Sequence, residues 1–185
     1  TDTEQHQSTM LKIPLRADRS TVPSMFTTEG FAPWRDFGEE AVWNDPANPH
    51  NPMLDAEGRV WLTTRVQAPD NPAWCKEGSD NPYAENFPIN RAGRHTGYYD
   101  PEAQKFVLIH TCFGTHHLQF AEDDNDTLYF SGGGQVVGWL NTKMYDETGD
   151  ERASQGWCPT VLDTNGDGAI SKPWNEPARR GEEAE

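Results

Sequence analysis

The chain contains no Cys-x-x-Cys pair and no Cys-x-x-Cys-His. Its three cysteines, Cys75, Cys112 and Cys158, stand far apart in 185 residues. That spacing excludes a cysteine-only zinc site and c-type haem attachment. It leaves open one disulfide plus a free thiol, as in an exported protein, or three buried thiols, as in a cytosolic one. No apolar run reaches the roughly 20 residues that a membrane-spanning helix needs. Basic side chains are scarce: 15 Lys and Arg stand against 30 Asp and Glu, a formal net charge of −15. Such a surface repels phosphate backbones and anionic membranes, so neither nucleic acid nor a membrane span is expected, while cations are favoured. No charged-then-apolar leader opens the sequence. The first residues, Thr1-Asp2-Thr3-Glu4-Gln5, suit a processed end, and the expected location is secreted or periplasmic.

What the chain does have is internal repetition. His50-Asn51-Pro52-Met53-Leu54-Asp55 followed by Gly58-Arg59-Val60-Trp61-Leu62-Thr63-Thr64 matches His117-Leu118-Gln119-Phe120-Ala121-Glu122 followed by Thr127-Leu128-Tyr129-Phe130-Ser131-Gly132. In each copy a His opens a short apolar strand, an acidic turn bearing Gly or Asn follows, and an aromatic-centred strand ends in small residues. A third strand matches too, Thr96-Gly97-Tyr98-Tyr99-Asp100 against Val137-Gly138-Trp139-Leu140-Asn141. Repeats of this kind define architecture. The expectation is an all-β, β-propeller-like fold of about two four-stranded antiparallel blades. Blades run about 40–50 residues and closure takes at least four of them. The chain is therefore expected to be part of a larger propeller, completed by the rest of a longer chain or by partner copies in an oligomer.

Residues 1–20 read as a flexible N-terminal segment with one candidate edge strand at Met10-Leu11-Lys12-Ile13. Propeller blades are expected over 21–177, preceded by an irregular aromatic stretch that closes in a strand at Glu40-Ala41-Val42-Trp43. A Pro- and Asn-rich insertion over 67–93 interrupts the first blade, and its length marks it as functional or flexible. The polar stretch 145–155 leads to a further strand in Trp157-Cys158-Pro159-Thr160-Val161-Leu162. Residues 178–185 read as a disordered acidic tail.

The sharpest local motif is Asp163-Thr164-Asn165-Gly166-Asp167-Gly168-Ala169-Ile170. It matches the first two-thirds of an EF-hand-type calcium loop, with side-chain oxygens at positions 1, 3 and 5, Gly at 6 and a carbonyl at 7. Position 12 is Trp174, so Glu176 or a distant carboxylate would close the shell. The expected metal ligands are Asp163, Asn165, Asp167, Ala169 and Glu176, holding structural calcium in a loop over 163–176. Five of the six histidines, His50, His95, His110, His116 and His117, fall in or beside the repeats. His50 and His117 occupy equivalent positions and are the candidate catalytic or metal-binding pair. Strand alternation predicts that His116 and His117 point to opposite faces. Trp74, Tyr83 and His95 are the candidate ligand wall, and Arg91 and Arg94 could hold an anionic group. Gly132-Gly133-Gly134 follows a strand with no helix after it and reads as a turn.

The pattern His-x-apolar, a turn with Asp and Gly, Leu/Val-Trp/Tyr-aliphatic-Thr/Ser, then Gly-aromatic-x-Asp-Pro resembles blades of the streptogramin lyase (virginiamycin B lyase-like) and NHL propellers. It covers roughly residues 49–66 and 95–141. The central segment also looks like part of a larger group of bacterial propeller proteins that carry Asp-Thr-Asn-Gly-Asp-Gly loops. In the lyases a channel-facing His acts as base beside a bound magnesium, and by position His50 and His117 match it. The resemblance thus implies a metal-dependent lyase or hydrolase using a divalent metal. The function expected from the sequence as a whole is a propeller segment that presents a small-molecule or protein-binding site at the channel mouth, with a structural calcium-binding loop; that lyase or hydrolase and a non-catalytic interaction or assembly scaffold are the alternatives.

Overall fold

The computed structural model describes residues 3–8, 11–18, 21, 47–132 and 135–160. The expected strand at 40–43, the calcium-type loop over 163–176 and the tail over 178–185 lie outside the described residues.

Period-2 alternation and Asx-initiated turns build two antiparallel meanders. The first sheet runs in order β1 (His50–Leu54), β2 (Val60–Thr64), β3 (His95–Asp100), β4 (Lys105–Ile109). The second runs β5 (Thr115–Phe120), β6 (Thr127–Gly132), β7 (Val136–Asn141), β8 (Gln155–Pro159). Among the described residues the fold is thus mainly β, with two short α-helices. The repeat in the sequence is a repeat in register: Gly97 faces Leu62 as Gly138 faces Phe130, and Tyr98 faces Trp61 as Trp139 faces Tyr129. The segment around Trp157 is the fourth strand of the second sheet.

Each hairpin tip is set by a carboxylate that caps the turn it opens. Asp55 Oδ1 accepts from the backbone N–H of Glu57 and Arg59, and Asp123 Oδ1 accepts from those of Asn125 and Thr127. Counted back from the closing strand, Asp123 and not Glu122 is therefore the counterpart of Asp55. Gly58 takes φ +80° to finish the first turn. Asp55 does more than its counterpart: its Oδ2 also accepts from Arg59 Nε at 2.6 Å and Trp61 Nε1 at 2.7 Å. Arg59 in turn reaches Asp146 and lies over the Tyr98 ring. This links the first sheet to helix α2 (Thr142–Thr148).

One core joins the sheets. The cross-strand row Met53, Trp61, Tyr98, Val107 faces the row Leu118, Phe130, Gly138, Trp157. Phe113, from the link between the sheets, lies so close over Gly138 that any Cβ there would overlap its ring. The opposite face of the first sheet packs Leu62, Val66, Phe106 and Leu108 against Ile13 and Ala47. Among residues 11–13 no strand forms; the N-terminal segment instead makes an isolated parallel bridge at Arg16 to Gln67.

The insertion over 67–93 is built rather than loose. It holds a 3₁₀ turn (Ala73–Cys75) and helix α1 (Pro82–Asn86), whose first turn Asn81 caps through Tyr83 N–H. A disulfide joins Cys75 to Cys112, and Cys158 is free and exposed. Asn71 Nδ2 donates to the carbonyls of Ile89 and Cys112. Trp157 Nε1 donates to Phe87 O, and Tyr83 sits between Trp139 and Trp157. The polar stretch after β7 likewise contains α2, capped by Asn141 and ended by Gly149 in the left-handed region.

Two stability predictions follow from these contacts. Asp55→Ala strands the Trp61 indole N–H and the Arg59 guanidinium. It should lower unfolding free energy by about 2–4 kcal/mol in urea titration, whereas Asp123→Ala, at an exposed tip, should lower it far less. Equal losses would show that the shared turn geometry, not the buried bonds, carries the effect. Cys75→Ser/Cys112→Ser reopens a loop spanning 37 residues. It should remove about 2–4 kcal/mol, measured the same way; an unchanged midpoint would mean that the insertion is held by its packing alone.

Candidate metal centre at the paired bulges

The first strands of the two sheets, β1 and β5, lie against each other, and each carries a one-residue bulge. In β1 the register slips between His50, opposite Thr63, and Met53, opposite Trp61. In β5 it slips between Thr115, opposite Gly132, and His117, opposite Ser131. A bulge bends the strand and breaks the two-face alternation of side chains. Asn51 absorbs the first with φ +51°, a conformation that Asn tolerates better than most residues. Pro52, which cannot donate to a ladder, sits there without loss.

The bulge in β5 corrects the expectation that His116 and His117 face opposite ways. His116 is the extra residue, so both rings turn toward His50. Ring centroids are 4.2 Å apart for His50–His116, 5.4 Å for His50–His117 and 4.3 Å for His116–His117. One ligand nitrogen from each residue lies within 4.8 Å of the other two. Nitrogens 2.0–2.1 Å from a tetrahedral ion stand about 3.3 Å apart; the His50 ring is stacked on the other two, at interplanar angles of 20° and 30°, so closing the site requires the rings to turn until their in-plane lone pairs converge. Among the described residues no other cluster of His, Cys, Asp or Glu meets this criterion.

Hydrogen bonding prepares the rings. His50 Nδ1 lies 3.2 Å from the His116 carbonyl. A carbonyl only accepts, so Nδ1 carries the proton and Nε2 presents a free lone pair, as in imidazoles whose other nitrogen is held by a backbone carbonyl when they ligate a metal. Thr63 Oγ1 donates to the same carbonyl at 3.2 Å. Asn51 Nδ2 donates to Leu118 O, fixing β1 on β5. Partial burial, then the neighbouring His50 and His117 and the Arg94 and Arg65 guanidiniums, push the His116 pKa below its ordinary value. A neutral ring is what a metal requires. His50 and His116 are half-buried and His117 is exposed.

The other expected site residues lie elsewhere. His95 is fully buried, with Nδ1 3.0 Å from Thr111 O and its ring 4.1 Å from that of His110. It forms no ligand wall. Tyr83 is packing for Trp139 and Trp157, and Trp74 lines a separate cleft with Arg16, Tyr145 and Glu151. Arg94 is buried, donating from Nη1 to Asn48 O at 2.6 Å and Thr63 O at 3.3 Å, so it is a structural donor rather than an anion clamp. Arg91 is exposed, and its backbone forms an isolated antiparallel β-bridge with Asp70. Beside the centre, His117 also forms part of the wall of a cleft of about 450 Å³.

Comparison of the chain with protein-family models, with curated proteins and with solved structures finds no match.

Burial, then the adjacent His110, lowers the His95 pKa to about 3, and burial lowers that of His110 as well. Between pH 6.5 and 3 the unfolded chain therefore binds protons that the native chain excludes. Stability is complete above about pH 6.5 and falls as pH drops through that window, by up to about 1.4 kcal/mol per pH unit for His95 alone. Urea titrations at pH 7.5, 6.0 and 5.0 should show this slope, and His95→Asn should flatten it. A slope unchanged in that variant would assign the pH effect to other groups.

Proposed function

We propose that the chain is two consecutive blades of a propeller whose inner edge holds a three-histidine centre for a borderline divalent metal, zinc above all, formed by His50, His116 and His117. The observation that carries this reading is the convergence of three imidazole nitrogens within 4.8 Å, from two strands bulged at matching places. Three protein nitrogens leave a fourth position for water or substrate, the arrangement of catalytic rather than structural zinc. An ion held so would polarise a carbonyl or lower the pKa of bound water toward neutrality. The reaction class is hydrolysis or metal-assisted elimination at the channel mouth, and His117, the most accessible ligand, faces the incoming molecule.

The nitrogen donors separate this centre from the proposed calcium loop of Asp163, Asn165, Asp167, Ala169 and Glu176, whose oxygens suit a hard cation in a structural role. The disulfide favours an oxidising compartment, in keeping with a secreted or periplasmic protein.

Metal analysis after dialysis against zinc should give one ion per chain that 1,10-phenanthroline removes. His50→Ala and His116→Ala should each lower zinc affinity at least about tenfold. Wild-type chain without stoichiometric zinc would end this reading. Calcium addition should raise the melting temperature of the His50→Ala variant as much as that of wild type; no shift in either would dismiss the loop.

A further inference from the structure

The cleft that shares His117 with the histidine centre has a composition that selects its occupant. Its volume of about 450 Å³ lies within the range of small-molecule sites. Met53, Val137 and the half-exposed Tyr129 supply apolar and aromatic walls over the buried Leu118 and Phe130, and Asn51, Gln119 and Ser131 add two amides and a hydroxyl. Among the described residues no Asp, Glu, Lys or Arg lines it, although 24% of the chain is charged. An ionic ligand body would lose hydration there without gaining a partner. An apolar body would gain by burial, and its polar end would find an amide, a hydroxyl or the ion.

We infer that this cleft binds a neutral amphipathic small molecule, an aromatic or branched-aliphatic body with one polar group, and that the shared His117 wall directs that group to the histidine centre. The inference rests on the proposed metal site and adds the substrate class to it.

The probe is 4-phenylimidazole, whose ring nitrogen can take the fourth position on the ion while its phenyl group fills the cleft. With the cobalt-loaded full chain, titration followed in the visible spectrum should show it binding about tenfold or more tightly than imidazole. Ser131→Trp, a substitution at the exposed rim, should abolish the phenyl preference while cobalt stays at one per chain. Equal affinity for 4-phenylimidazole and imidazole, or a preference that survives Ser131→Trp, overturns the inference and leaves the metal site standing. Failure to take up cobalt sinks the metal site instead. In that event saturation-transfer NMR of 4-phenylimidazole on the metal-free chain still tests the cleft, and absence of phenyl contacts overturns it. A dimer in native mass spectrometry that Tyr129→Glu splits would make the cleft the seat of a second copy and also overturn the inference.

Discussion

The His116 carbonyl is the point on which the arrangement of this molecule turns. A bulge pushes it out of the β5 ladder, so it is free to accept from another sheet. It takes His50 Nδ1 and Thr63 Oγ1, one from each of the two strands that lead the first sheet. Those two bonds, with Asn51 on Leu118 O, hold edge against edge where the sheets would otherwise present unpaired backbone. The same bonds set the tautomer of His50. Structure and candidate chemistry thus share one acceptor, and the site cannot be loosened without loosening the seam between the sheets.

Away from that seam the two sheets diverge in how they are closed. The first carries its long insertion between β2 and β3 and ties it, through Cys75–Cys112, to the link that precedes the second sheet. The second sheet uses α2 between β7 and β8, and Asp146 on that helix reaches back to Arg59. Glu151 performs a similar service, pairing with Arg16 and accepting from His110 N–H. Each sheet is therefore braced by an excursion of the chain that packs on its neighbour, in addition to the buried rows around Trp61 and Trp157.

The ladder itself was legible. Alternation around Val60-Trp61-Leu62 and Leu128-Tyr129-Phe130, with Asp and Gly at the tips, fixes strands and hairpins, because side-chain period and turn chemistry are local properties. The equivalence of His50 and His117 followed from the same repeat, and both face a Thr or Ser of the next strand. The bulges were not legible: one extra residue leaves no mark in composition, and strict alternation argues against His116 and His117 converging. The two helices left signals that polar composition masked. Asn81 followed by Pro82 is cap and first turn, and Asn141 with Gly149 brackets α2. Which two of three cysteines pair is a question of tertiary distance, and sequence spacing alone leaves it open. The burial of His95 belongs to the same kind, since a histidine on a strand reads alike inside and out.

The bulge at His116 is a single additional residue, and the ladder on either side of it is regular. Removing that one codon would restore an ordinary strand, keep every hairpin and most of the core, and leave two imidazoles where three had met. A lineage that gained or lost the residue in one small insertion or deletion would change the histidine cluster and the seam between the sheets together, since the same residue supplies the ring and the accepting carbonyl.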